Sequence, residues 1–282
     1  MDAVALGAVL SHALDQELIL VHVHPPTIDY PSVGNVDAEW SAFLDERSRS
    51  TLASAHERLA SEWDIGAVKR IAVAHSSVGR GLLEVAENNQ GSLVVLGPST
   101  PGREAHVSLG SAGHSLLHGG HVGVALAPEG YRETAPDHLH RLVVAFRDGP
   151  DSEQMLGWCS DVARRKELEL TLLSVVLRVT RIVGARLGRD PERAVIEALV
   201  EQHEETQREV ISQLDGPVTG SVMRADTAEQ AMGRFPWHEG DLLVVGSSRY
   251  GVVRRVLLGD TGLKILRAAT VPALVLPREE VV

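Results

Sequence analysis

The sequence predicts an α/β protein made of two tandem copies of one parallel-sheet unit. Three observations carry this: an internal repeat, short β-rich apolar runs that alternate with longer helical stretches, and a length of 282 residues that suits two ordinary domains. The repeat is direct. Gly91-Ser92-Leu93-Val94-Val95-Leu96-Gly97-Pro98-Ser99 returns as Gly240-Asp241-Leu242-Leu243-Val244-Val245-Gly246-Ser247-Ser248. Downstream, Leu109-Gly110-Ser111-Ala112-Gly113 returns as Leu258-Gly259-Asp260-Thr261-Gly262, and the run 122–128 returns as 271–277. The boundaries predicted are 1–128 for the first unit and 139–282 for the second, with 129–138 an exposed polar linker containing Gly130 and Pro136.

In the second unit, strands are predicted at 142–146, 170–176, 218–223, 242–245 and 273–276. A helix between the second and third is expected to start at Asp190-Pro191-Glu192, an N-cap followed by Pro, and to turn Val195, Ile196, Leu199 and Val200 inward. The first unit offers strands at 18–21, 71–74, 93–96 and 122–126, with a long helix over 40–63 whose Asp45, Glu46 and Arg47 read as a solvated face. It is one strand short. Aligning 17–21 with 169–173 puts Met1 beside Glu153, so the counterpart of 142–146 is missing.

Composition narrows the function classes. Lys and Arg total 27 against 38 Asp and Glu, a formal charge of −11 that repels phosphate backbones and anionic membranes. With aromatics at 4%, few side chains are available to stack bases, so neither nucleic acid nor membrane is expected as a partner. Cys159 is the sole cysteine and reads as a buried thiol on a helix face. No apolar run approaches a membrane span and no signal segment precedes the first strand, so a cytoplasmic location is expected.

The glycines after the fourth strand resemble the signature of the universal stress protein family. Members that hold ATP carry Gly-x2-Gly-x9-Gly-[Ser/Thr], whose loop amides and following helix start surround phosphate. The matching residues here are Gly97 to Thr100 with Gly110-Ser111, and Gly246 to Arg249 with Gly259-Asp260. The resemblance implies two doubly wound sheets of order 3-2-1-4-5, the first without its central first strand, and a crevice at the strand carboxyl ends. It also implies ATP with Mg²⁺ as the ligand, with Gly97, Gly110, Ser111, Asp148, Gly246, Ser247, Gly251, Gly259 and Thr261 as nucleotide-binding residues. Family members pair through their last strands, so 122–126 and 271–276 are expected to meet as an internal pseudo-dimer, with a homodimer as the further assembly.

The chain departs from the signature in three places. Thr100 and Arg249 replace the second glycine, and Asp260 stands where a hydroxyl would face phosphate. At about 4 Å and an effective dielectric near 20, that carboxylate repels one phosphate charge by about 4 kcal/mol. Thr261 is the alternative hydroxyl. An ungapped reading puts Arg147, not Asp148, where an Asp would face base and ribose, so Asp148 serves only if the strand ends in a bulge or turn.

Other constellations are weaker. His114 and His118 have i, i+4 spacing, with His106 and His121 near in sequence, but no carboxylate or cysteine completes a metal set; His22 and His24 alternate on a strand end. No serine sits in a nucleophile elbow, so neither a catalytic residue nor a metal is assigned. The expected function is a stress-associated regulatory or binding protein that senses adenine nucleotide or an unidentified protein partner. The alternatives are a scaffold that binds only proteins, and an enzyme related to adenine-nucleotide hydrolases, although Arg147 to Ser152 lacks the paired glycines of their loop. A missing central strand would leave backbone groups unpaired inside a core, so an upstream segment of about a dozen residues containing an apolar strand is expected ahead of Met1.

Overall fold

The computed structural model describes residues 1–26, 36–99, 106–119, 121–178, 189–246 and 260–277. The first unit runs α1 (Asp2–Leu14), β1 (Ile19–His24), α2 (Val36–Glu62), β2 (Lys69–Ala74), α3 (Val78–Asn88), β3 (Leu93–Leu96), α4 (Gly110–Gly119) and β4 (Gly123–Leu126). A short helix α5 (Tyr131–Thr134) follows. The second unit runs β5 (Arg141–Ala145), α6 (Pro150–Lys166), β6 (Glu169–Leu177), α7 (Arg189–Ile211), β7 (Val218–Ala225), α8 (Ala228–Arg234), β8 (Asp241–Gly246), α9 (Asp260–Ala268) and β9 (Ala273–Leu276).

Both units contribute to one seven-stranded sheet of order β3-β4-β9-β8-β5-β6-β7, while β1 and β2 form a separate parallel pair. Within the second unit all neighbours are parallel, and β5 lies between β6 and β8. The seam is different in kind: β4 pairs antiparallel with β9, with Val124 opposite Val275 and Leu126 opposite Ala273. These last strands are short and apolar, and their side chains are almost wholly buried. Each covers the edge that the other would expose.

In the first unit the sheet is interrupted. β1 pairs only with β2, and β3 only with β4, among the described residues. A cavity of about 490 Å³ separates them, walled by Ile19 to Val21 of β1 and Leu93 to Val95 of β3, and closed above and below by α1 and α3. The interruption lies where β5 runs in the second unit.

α1 is apolar nearly all round and buries Ala5, Leu6, Ala8, Val9, Leu10 and Ala13, the pattern of a helix with neighbours on every side. One face meets Leu20, Leu52 and Leu59 of its own unit. Leu6, Val9 and Leu10 instead join the core of the second unit, with Leu142, Val144, Met155 and Leu156. Each fully buried leucine there contributes about 1.5–3 kcal/mol. On the other face of the sheet, Leu116 and Leu117 of α4 share a core with Met232 of α8 and Leu266 of α9. The two units therefore share cores on both faces.

Two buried polar clusters fix β5. At its amino end, Arg141 Nε donates to Asp241 Oδ1 at 2.8 Å, and the guanidinium lies 5.5 Å from the centre of the Phe235 ring. At its carboxyl end, Gln207 Nε2 of α7 donates to Ser174 Oγ at 2.9 Å, and Ser174 Oγ donates to the Phe146 carbonyl at 3.1 Å. Gly220 makes room for this amide, since a Cβ there would stand 2.5 Å from Gln207 Oε1.

Two expectations are corrected. α7 begins at Arg189, one residue ahead of the predicted N-cap Asp190, and Val195 and Leu199 are 53% and 38% exposed. The inward stripe of α7 instead passes through Ile196 and Gln207, three turns apart, and the helical period carries the residues one place earlier out to solvent. The segment 129–138 is only partly an exposed linker. Tyr131 is buried beside Ala5 and Leu139, and the Asp2 carboxylate accepts the backbone N–H groups of Gly130 at 3.4 Å and Arg132 at 3.0 Å. The start of α1 thus holds the connection down.

Candidate functional site

In open α/β sheets, ligands bind outside the strand carboxyl ends where the strand order reverses. In the first unit that place is formed by the loop from β3 to α4. Gly97 follows the strand, and a Cβ on it would stand 3.4 Å from the backbone nitrogen of Ala3, so the start of α1 closes against the strand end. Further along, Ser99 Oγ and Ser108 Oγ lie 2.6 Å apart. Gly110 then opens α4 with φ 51°, and a Cβ there would lie 2.4 Å from Ser99 Cβ. Glycine is required at this position both by its left-handed backbone and by the serine pressed on it. Ser111 is exposed on the first turn, beside the backbone N–H groups that a helix start leaves without intrahelical partners.

The outer side of this loop is anchored in the second unit. The Val107 N–H donates to the Ala269 carbonyl at 3.1 Å, and Val107 and Leu109 are buried with Met232 and Leu266.

In the second unit, Gly246 ends β8, and a Cβ on it would meet Met155 Sδ at 3.0 Å. This reproduces Gly97 against Ala3, since Met155 is the residue that the repeat aligns with Ala3. Of the predicted residues, Ser247, Gly251 and Gly259 lie outside the described residues. α9 opens at Asp260, and Thr261 is exposed in its first turn. β5 leaves the sheet through a turn in which Gly149 has φ 137° and its carbonyl accepts the Ser152 N–H at 2.9 Å; Ser152 Oγ donates to the Arg147 carbonyl. Arg147 and Asp148 are both exposed, and Asp148 makes no hydrogen bond or ion pair among the described residues. Asp148 and Gly246 follow paired strands and so flank the same crevice. The structure therefore sets Gly110 against Ser99, two residues past Gly97, and puts Asp148 and Gly246 at the carboxyl ends of two adjacent strands.

This duplicated arrangement has a clear match. The family model described as "Universal stress protein family" matches residues 1–128 and again residues 138–277. The chain belongs to the universal stress protein family. A universal stress protein of Mycobacterium tuberculosis is 31% identical over 265 residues, covering 92% of this chain and 88% of that protein. A second from the same organism is 26% identical over 263 residues, covering 89% and 81%. Among solved structures, a universal stress protein from Archaeoglobus fulgidus superposes with a TM-score of 0.60 at 16% identity, covering 98% of this chain and 94% of that one. The last comparison speaks to the fold alone.

Within this universal stress protein, the histidines take ordinary places. His114 and His118 are exposed with rings stacked 6.1 Å apart, and among the described residues no group of three or more His, Cys, Asp or Glu could hold a metal ion. His22 Nδ1 lies 2.9 Å from Ser48 Oγ, and burial, helped by the charges of His24 and Arg47, holds its pKa below the usual value. Glu229 is held low by hydrogen bonds from its own backbone and from Thr227, and further by the charge of His106 across the unit boundary. Burial raises the Cys159 thiol, which keeps it protonated and unreactive. No described helix is long and apolar enough to cross a membrane.

Sequence reasoning missed Ser99 and Ser108, whose hydroxyls meet. The glycine spacing carried a signal for the loop but none for the serines, because their contact joins residues that are not neighbours in sequence. It also missed a cavity of about 400 Å³ over the seam, which reaches from Leu93 and Val122 to Met155, Trp158 and Gly246.

Proposed function

We propose that the protein is a cytoplasmic, non-catalytic stress regulator whose carboxyl-end crevices sense adenine nucleotide, the first unit holding phosphate better than the second. The observation that carries this reading is the loop ending at Gly110. Gly110 starts the helix with a left-handed backbone against Ser99, and Ser111 offers a neutral hydroxyl beside the N–H groups of the helix start. In the second unit Asp260 opens α9, and a carboxylate at that end competes with phosphate for the same partial positive charge. The residues suited to hold ATP are Gly97, Gly110 and Ser111 on one side, and Asp148, Gly246 and Thr261 on the other, with Mg²⁺ supplying charge compensation between phosphates.

Titration calorimetry with Mg-ATP tests the electrostatic part. Asp260→Ser should tighten binding in the second unit by tenfold or more, and unchanged or weaker binding would overturn it. Mass spectrometry of ligands released from freshly purified protein separates the classes. Bound ATP supports this reading, and AMP with pyrophosphate production would favour an enzyme.

A further inference from the structure

Two histidines meet at the amino end of β5, the end opposite the second-unit crevice. His138 and His140 flank the buried Leu139, so both side chains turn outward and are exposed. Their Nε2 atoms lie 2.9 Å apart and their ring centres 4.5 Å apart, with the ring planes at 75°.

His140 is fixed by its backbone and by its ring. Its N–H donates to the Gly240 carbonyl at 2.9 Å, and its own carbonyl accepts the Glu169 N–H at 2.9 Å. Its Nδ1 lies 3.1 Å from the Glu239 carbonyl oxygen, which can only accept, so Nδ1 carries the proton and Nε2 of the neutral ring presents a lone pair. Gly240 makes room for the ring: its φ is 82°, and a Cβ there would stand 2.7 Å from Nδ1. Metal-ligating histidines are oriented in the same way, by a second nitrogen held on a carbonyl.

The placement of the rings suits a shared ion better than a shared proton. A ring nitrogen stands about 1.1 Å from its ring centre, given ring bonds of about 1.33 Å, so a straight Nε2–H···Nε2 bond would part the centres by about 5 Å. The observed 4.5 Å means that the rings lean to one side. With an equal lean, their axes cross about 2 Å beyond the nitrogens, the length of a bond from imidazole to a divalent transition ion. Two such bonds to nitrogens 2.9 Å apart enclose an angle of about 90°. That angle fits the square-planar or tetragonal preference of Cu²⁺ and Ni²⁺ and is too narrow for a tetrahedral centre.

We propose that His138 and His140 form an open binding site for a divalent transition ion of this geometry, Ni²⁺ or Cu²⁺. Among the described residues no third His, Cys, Asp or Glu completes a set, so the ion takes two protein nitrogens and leaves its other positions to water or to a donor from another molecule. Bound there, it ties the end of the connection to the start of β5 and, through Glu239 and Gly240, to the start of β8. The site is separate from the nucleotide reading and needs no ATP.

The test is calorimetric titration of the full chain with Ni²⁺, without a histidine tag and without nucleotide. One ion should bind per chain, and His138→Gln or His140→Gln should each weaken binding at least tenfold. Both side chains are exposed, so the variants keep the fold. The double variant His114→Gln with His118→Gln removes a second neighbouring histidine pair and should bind as the unmodified chain does. No binding up to millimolar Ni²⁺, or full affinity in both single variants, would overturn the proposal, and loss of binding in the double variant would assign the ion to α4 instead. Electron paramagnetic resonance of added Cu²⁺ reads the ligands directly. Two imidazole nitrogens in the unmodified chain and one in each single variant support the site, and a spectrum that the variants leave unchanged rejects it.

Discussion

β5 and the slot between β1 and β3 hold the same place in two copies of one unit, yet only β5 is a strand. Val143 and Val144 are wholly buried between β6 and β8, and the neighbours on both sides complete their hydrogen bonds on them. In the first unit the flanking strands stand apart, and the helices above and below are still in place. What keeps them there comes largely from outside the unit. Leu6, Val9 and Leu10 of α1 pack in the second unit's core, Asp2 ties α1 to the connection at Gly130 and Arg132, and β4 is paired to β9. The comparison teaches that the first unit, with its sheet interrupted among the described residues, is held together by a sheet edge and cores that it shares with the second.

That dependence can be broken from the complete side. Val143→Asp places an unpaired carboxylate at a fully buried position, a change worth roughly 4–5 kcal/mol or more. Because the first unit leans on the second, both should unfold in one urea transition at a lower midpoint. If β1 and β2 amides kept their protection while the second unit melted, the units would be independent and the comparison mistaken.

A smaller effect sharpens the contrast between the two glycine loops. Gly110→Ala must adopt φ 51° and push Ser99 aside, and should cost about 1–3 kcal/mol. Gly246→Ala meets only the flexible Met155 side chain at 3.0 Å, and should cost under about 1 kcal/mol. Chemical denaturation of the two variants side by side checks the order, and an equal or reversed order would mean that the Ser99 contact yields without strain.

The smallest effect concerns pH. His22 of β1 and Ser174 of β6 are the same residue of the repeat, and each bonds to the crossover helix that follows, through Ser48 and Gln207 respectively. Only the histidine titrates. Burial lowers its pKa, so as pH falls through the ordinary histidine value near 6.5 the unfolded chain takes up the proton first, and stability is lost between there and the lower folded value. The protection factors of β1 amides, taken against the intrinsic exchange rate at each pH, should fall on mild acidification while those of β6 stay constant, and His22→Gln should flatten the response. A response that survives the substitution would assign it to other groups.

Much of the architecture was legible because it was written twice. The second-unit strands lie within two residues of their predicted bounds, and Ala273–Leu276 agrees at both ends, since apolar β-branched runs bounded by polar turns have few other ways to fold. The interruption in the first unit was legible for the same reason, as a gap in the alignment of the copies. Contacts between distant residues were not. Nothing local marks Tyr131 for burial or sends Val107 to Ala269, because both depend on a partner unit whose position the sequence states only through the sum of its packing. Of the candidate site, glycine spacing marked Gly97 and Gly110, while Asp148 depended on a turn that periodicity could not specify.

The antiparallel seam has a further geometric result. β3 and β4 run one way along the shared sheet, and β9, β8, β5, β6 and β7 run the other. The carboxyl ends of the two halves therefore open on opposite rims of the molecule. One small ligand cannot bridge both mouths, and a macromolecule docked over one rim leaves the other in free solvent. Any coupling between the two crevices has to pass through the shared ladder of β4 and β9 or through the helices that the two units pack into common cores.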